Sequence, residues 1–122
     1  MRFTQDLGSG SNVIRAYGDG EVRINETVVR GGVIVSATQL SAHAGIRSIE
    51  DWREEQLAAI LALKPELVLL GTGPTQRFPP PGFSARFLTA GIGFEVMNTG
   101  AACRTFNVLV AERREVVAAL VV

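Results

Sequence analysis

The sequence predicts an α/β layered domain with an antiparallel hairpin at one side. Three observations lead there. Val13-Ile14-Arg15-Ala16-Tyr17 and Glu21-Val22-Arg23-Ile24 alternate about Gly18-Asp19-Gly20. An Asp-Gly pair between alternating runs marks a hairpin, because the turn requires φ > 0. Leu67-Val68-Leu69-Leu70 is a continuous apolar run, the pattern of a parallel strand covered on both faces. From residue 49 onward the order reads helix–strand–helix–strand–helix–strand. Strands joined by helices are expected to be parallel, with right-handed crossovers.

The elements follow in order. After the hairpin, short strands are expected over 27–29 and 33–36, separated by Gly31-Gly32. Residues 37–47 carry no clear period and read as a loop. A helix is expected over 49–63, with Ser48 and Asp51 as a capping box and Leu57, Ile60 and Leu61 as its apolar stripe. Pro65 forbids much continuation. Beyond the 67–70 strand and Gly71-Thr72-Gly73, Pro79-Pro80-Pro81 leads into a helix over 82–90. Phe83, Phe87 and Leu88 are expected to face inward, and Gly91 suits the left-handed C-cap. A strand over 94–97 precedes a third helix over 100–112, capped by Asn98 or Thr99, with Ala102, Phe106, Leu109 and Val110 as its buried stripe. Residues 116–122 close the chain as an apolar strand. Residues 1–11, polar and rich in glycine and serine, are expected to form a flexible arm, and 12–122 a single domain.

Hydrophobic residues make up 47% of the 122-residue chain, enough for a core without staples. Basic and acidic residues number twelve each, so no net field draws the protein to nucleic acid or an anionic membrane. Cys103 is the only cysteine, which excludes an internal disulfide and argues for a reducing compartment. The N-terminus has no apolar h-region, and no apolar run approaches the length that spans a bilayer. A soluble protein of the cytoplasm is the expectation. No cofactor fingerprint and no metal-ligand set is visible, so neither a cofactor nor a metal is expected.

In open α/β sheets, ligands collect outside the carboxyl ends of the strands. Two loops leave those ends: Gly71-Thr72-Gly73 and Asn98-Thr99-Gly100. The second opens a helix, whose first N–H groups favour an anion. Arg104 and Arg77 add charge. Gly71, Thr72, Gly73, Asn98, Thr99, Arg104 and Thr105 are therefore the candidate ligand-binding residues. The glycines match neither a dinucleotide fingerprint nor a Walker A loop, since Gln76 and Phe78 stand where glycine and lysine would be needed. A strand-to-helix turn uses glycine with or without a ligand, so both roles stay open. Arg104 is as well explained by a pair with Glu95 or a carbonyl. Cys103 lies early in the third helix, where a thiolate is favoured, yet a free cysteine is more commonly buried packing. His43 lacks partners for a zinc set, and Ser36 or Ser41 would have to complete a triad that no nucleophile elbow supports. Trp52 reads as a core anchor or edge plug, and Arg53-Glu54-Glu55 as a solvated helix face.

The C-terminal half carries a resemblance. Leu70-Gly71-Thr72-Gly73, Pro80, Gly91-Ile92-Gly93-Phe94-Glu95-Val96-Met97, the run from Thr99 to Leu109 and Ala111-Glu112-Arg113-Arg114 occur in that order. The pattern resembles the Mth938-like family, a domain of unknown function. Its eukaryotic members include the mitochondrial complex I assembly factor 3 and an adipogenesis-associated Mth938 domain protein. The likeness spans about residues 12–122. It implies a three-layer α/β fold with a mixed central sheet, an N-terminal antiparallel hairpin and three helices. It also implies shared residues at Gly71, Thr72, Gly73, Ala102, Arg104, Thr105, Asn107 and Glu112. No established reaction comes with it, and the eukaryotic branch suggests interaction or assembly work. Many relatives carry tryptophan near His43, which argues against a shared catalytic histidine, and tyrosine often stands where this chain has Phe106. The expectation is a non-enzymatic binding or assembly-helper domain with an anion-tolerant cleft, taking an unknown protein partner or a small anionic ligand. The alternative is a small enzyme using Cys103 or His43.

Overall fold

The computed structural model describes residues 11–122; the expected N-terminal arm lies outside the described residues except for Ser11. The hairpin forms as expected from β1 (Ile14–Gly18) and β2 (Glu21–Ile24), and β3 (Thr27–Arg30) extends it into an antiparallel meander. At its first turn Asp19 has φ 54° and Gly20 φ 78°, the left-handed pair that a tight hairpin turn demands. A second sheet has the order β5-β4-β8-β6-β7, built from β4 (Gly32–Ser36), β5 (Leu40–His43), β6 (Leu67–Gly71), β7 (Gly93–Met97) and β8 (Val116–Leu120). Strands β6, β7 and β8 are mutually parallel, while β4 runs antiparallel to both β5 and β8.

Helices α1 (Glu54–Ala62) and α2 (Pro81–Thr89) cover one face of the five-stranded sheet, and α3 (Thr99–Ala111) covers the other beside the meander. Alternating residues of β6 and β8 divide between the two cores. Leu69, Ala118 and Leu120 meet Phe106, Ala102 and Val22 on the α3 side. Val68, Leu70, Val117 and Ala119 meet Ile60, Phe83 and Phe87 on the other. Strands buried on both faces explain the unbroken apolar runs in the sequence. The result is the three-layer α/β fold with a mixed central sheet.

Three local expectations are corrected. Residues 37–47 are not all loop. The Ser36 hydroxyl accepts the Gln39 N–H at 3.0 Å and turns the chain back, so that β5 pairs along β4. Backbone pairing fixes this strand, because its side chains are mostly exposed and leave no apolar period to read. The helix expected over 49–63 is interrupted. The Asp51 carboxylate accepts the Arg47 and Ser48 N–H groups at 2.8 and 3.0 Å and closes a separate 3-10 turn, Ile49–Asp51. Trp52 then leaves the helical region at ψ 130° and enters the core, and the Gln56 side chain accepts the Arg53 N–H at 2.7 Å to start α1. Leu88 does not face inward but is 59% exposed. Phe83 and Phe87, four residues apart, share the buried face, and Leu88 lies about 100° further round the helix.

Candidate functional site

The parallel strands β6, β7 and β8 bring their carboxyl ends to one rim, where the chain is tightly tied. Thr99 opens α3 and is 7% exposed. Its hydroxyl accepts the Gly73 N–H at 2.8 Å and donates to the Val121 carbonyl at 2.5 Å. Its own N–H donates to the Gly73 carbonyl at 2.9 Å. One side chain thus joins the loop after β6, the start of α3 and the residue after β8. Gly71 needs to be glycine for space, since a Cβ there would lie 2.9 Å from Leu120 and 3.1 Å from the Thr99 Cα. The buried Thr72 hydroxyl donates to the Thr75 carbonyl at 2.7 Å and accepts the Arg77 N–H at 3.0 Å, shaping the loop from within.

Beside this rim lies an open cleft of about 500 Å³. The loops supply Gly73, Pro74, Asn98, Thr99 and Gly100, α3 supplies Arg104, and the opposite wall is the hairpin from Tyr17 to Glu21. Asn98 caps α3 by accepting the Ala101 N–H at 2.8 Å. With Thr99 N–H bound to Gly73 and Ala102 N–H bound to the Asn98 carbonyl, the Gly100 N–H is the one left without a partner in the first turn among the described residues. Arg104 donates to the Tyr17 hydroxyl, and its guanidinium lies 5.9 Å from the ring centroid. It has no ion pair with Glu95 or any other carboxylate among the described residues.

Of the candidate ligand-binding residues, Gly73, Asn98, Thr99 and Arg104 line the cleft. Gly71, Thr72 and Thr105 do not; the first two lie beneath its floor as parts of the rim. Arg77 points elsewhere and pairs with Glu50 at 2.5 Å. The sequence does not announce the hairpin wall. Gly18-Asp19-Gly20 was legible as a turn, but nothing local announces that it crosses to a helix 87 residues away. Asn107 makes that crossing firm. Its amide donates to the Ile14 carbonyl at 2.8 Å and accepts the Ile14 N–H at 2.9 Å, standing in for a neighbouring strand.

Cys103 and His43 lie outside the cleft. Cys103 is 2% exposed in the α3 core, and burial pushes its thiol up to about 12, with Arg104 pulling slightly the other way. His43 Nε2 is 2.9 Å from the Ser41 hydroxyl on the edge strand β5, and its ring meets Trp52 edge-on at 6.2 Å. Among the described residues no carboxylate is hydrogen-bonded to that ring, and no group of three metal-ligating side chains occurs. No helix among them is long and apolar enough to cross a membrane.

A family model described as "Protein of unknown function (DUF498/DUF598)" matches residues 14–121. The "13 kDa major membrane protein" of Francisella tularensis subsp. holarctica is 34% identical, over 84% of each chain. The NADH dehydrogenase [ubiquinone] 1 alpha subcomplex assembly factor 3 of Drosophila melanogaster is 32% identical over 95% of this chain, which spans 60% of that longer protein. A solution structure from Bordetella pertussis, described as a Mth938-like domain, superposes with a TM-score of 0.80. It is 27% identical and the match covers 98% of this chain and 91% of that one. The chain thus belongs to the DUF498/DUF598 family of Mth938-like domains.

Proposed function

We propose that this domain is a non-enzymatic binding or assembly-helper protein whose cleft receives an anionic group of its ligand against Arg104 and the Gly100 N–H. The observation that carries the reading is the state of Arg104. Among the described residues Arg15, Arg47, Arg53 and Arg113 also meet no carboxylate, but of the unpaired arginines only Arg104 lines the cleft, where its partner is a neutral phenol. A guanidinium so placed keeps its donors available for a carboxylate or phosphate. The Drosophila relative is named an assembly factor, and by that likeness the anionic group belongs to a protein partner. The lone buried thiol is compatible with work in the cytoplasm. The enzyme reading loses ground because Cys103 is sealed in the core and, among the described residues, no third group hydrogen-bonds the Ser41–His43 pair to orient it.

The test is thermal unfolding with inorganic phosphate, carboxylates and nucleotides, on wild type and Arg104→Ala. A ligand that binds the native state raises the melting temperature by linkage. The expected result is a rise with at least one anion that disappears in the variant. An equal rise in both proteins would overturn the reading.

A further inference from the structure

The cleft has two walls of opposite charge, and the charges do not meet. Arg104 on α3 is the one cation among the described residues that line it. Asp19 and Glu21, both on the hairpin, are the acidic side chains among the described residues of the lining. Glu21 is occupied by Arg30 at 2.7 Å. Asp19 has no ion-pair partner among the described residues, and neither does Arg104. A plain anion entering this cleft would gain Arg104 and the Gly100 N–H but would also face the Asp19 carboxylate. A ligand with a cationic group at its other end would satisfy both walls.

Resting on the cleft reading above, we infer that the ligand is dipolar. A carboxylate sits against Arg104 and an ammonium or guanidinium against Asp19. This is the chemistry of a free amino acid or short peptide, or of a polypeptide segment with neighbouring opposite charges. The remaining lining suits either source. Pro74, Val121 and Val122 supply apolar surface between the charged ends, and a cleft of about 500 Å³ accommodates a ligand of that size.

Asp19→Asn separates the dipolar reading from the simpler one by the sign of its effect. Asparagine accepts the φ of 54° at this position at least as well as aspartate, so the hairpin stays intact. Titrations followed by amide NMR at Gly100 would use three probes. These are inorganic phosphate, an uncapped dialanine whose termini carry the charges, and an end-capped tetrapeptide bearing one Glu and one Lys. Loss of an exposed ion pair weakens binding by about 1.4- to fivefold. Asp19→Asn is expected to weaken a dipolar probe by that factor and to tighten phosphate. Binding of dialanine alone identifies a free zwitterion, and binding of the capped peptide a polypeptide segment. Arg104→Gln is expected to abolish the response to every probe. If Asp19→Asn leaves the dipolar probes unchanged or tightens them while phosphate still depends on Arg104, the dipolar inference fails and the anion cleft stands. If no probe responds at Gly100, or none depends on Arg104, both fail.

Discussion

Replacing Thr99 by valine removes a hydroxyl while keeping the shape of the side chain. The structure gives the consequence. The Gly73 N–H, bound at 2.8 Å, and the Val121 carbonyl, bound at 2.5 Å, each lose a partner inside a site closed to water. An orphaned buried polar group costs about 1–3 kcal/mol, so two cost about 2–6. The added methyl returns about 1 kcal/mol of apolar burial. The expected net loss is therefore about 1–5 kcal/mol. With an unfolding entropy of about 2.1 cal/mol/K per residue, a chain of this length loses about 4–20 °C of melting temperature. Differential scanning calorimetry would measure it. Thr99→Ser keeps both hydrogen bonds and loses one methyl, so it should fall by only about 1 kcal/mol. If Thr99→Val melts within about 2 °C of wild type, or Thr99→Ser falls as far, the hydroxyl does not hold the rim together.

Two further outcomes follow from the same region. Burial raises the Cys103 thiol from its ordinary 9.0 to about 12, so its contribution to stability is full below about 9 and is lost as pH rises toward 12, at up to about 1.4 kcal/mol per pH unit. Denaturant midpoints of wild type and Cys103→Ala across pH 8–11 should converge as pH rises, and the native thiol should resist iodoacetamide at pH 8; rapid native alkylation would contradict both. Gly71→Ala forces a Cβ to 2.9 Å from Leu120 and 3.1 Å from the Thr99 backbone, an overpacking that should cost about 1–3 kcal/mol in urea unfolding. Unchanged stability would show that the glycine serves something other than space.

The layers were readable because their signals are periodic. The two-sided burial of Leu67–Leu70 and the helix stripe at Ala102 and Phe106 are written in side chains. β5 was not readable, because its pairing rests on backbone groups and on the Ser36 turn rather than on an apolar alternation. The break before α1 was hidden for a related reason. Ser48 and Asp51 announce a start but not its length, and Arg53 with Gln56 supplies a second start five residues after Ser48. At the site, the rim loops were legible from glycine, threonine and asparagine at strand ends. The hairpin wall was not, since its meeting with α3 is a long-range event.

That meeting also explains how a residue can serve a cleft without touching its contents. Asn107 lies outside the cleft lining, yet its amide grips both backbone groups of Ile14. Ile14 leads directly along β1 to Tyr17 and then to the Gly18-Asp19-Gly20 turn. Tyr17 in turn rests on Gly100, where any Cβ would come within 3.0 Å of its ring, and accepts the Arg104 hydrogen bond. The orientation of the acidic wall is therefore set from α3 at two points, Asn107 at the base and Arg104 at the top. A ligand that draws Arg104 away from the phenol releases only the upper point. The wall can then adjust about an anchored base while the rim tied by Thr99 stays fixed. If the cleft takes an anionic group as proposed, Tyr17 and the ligand compete for one guanidinium.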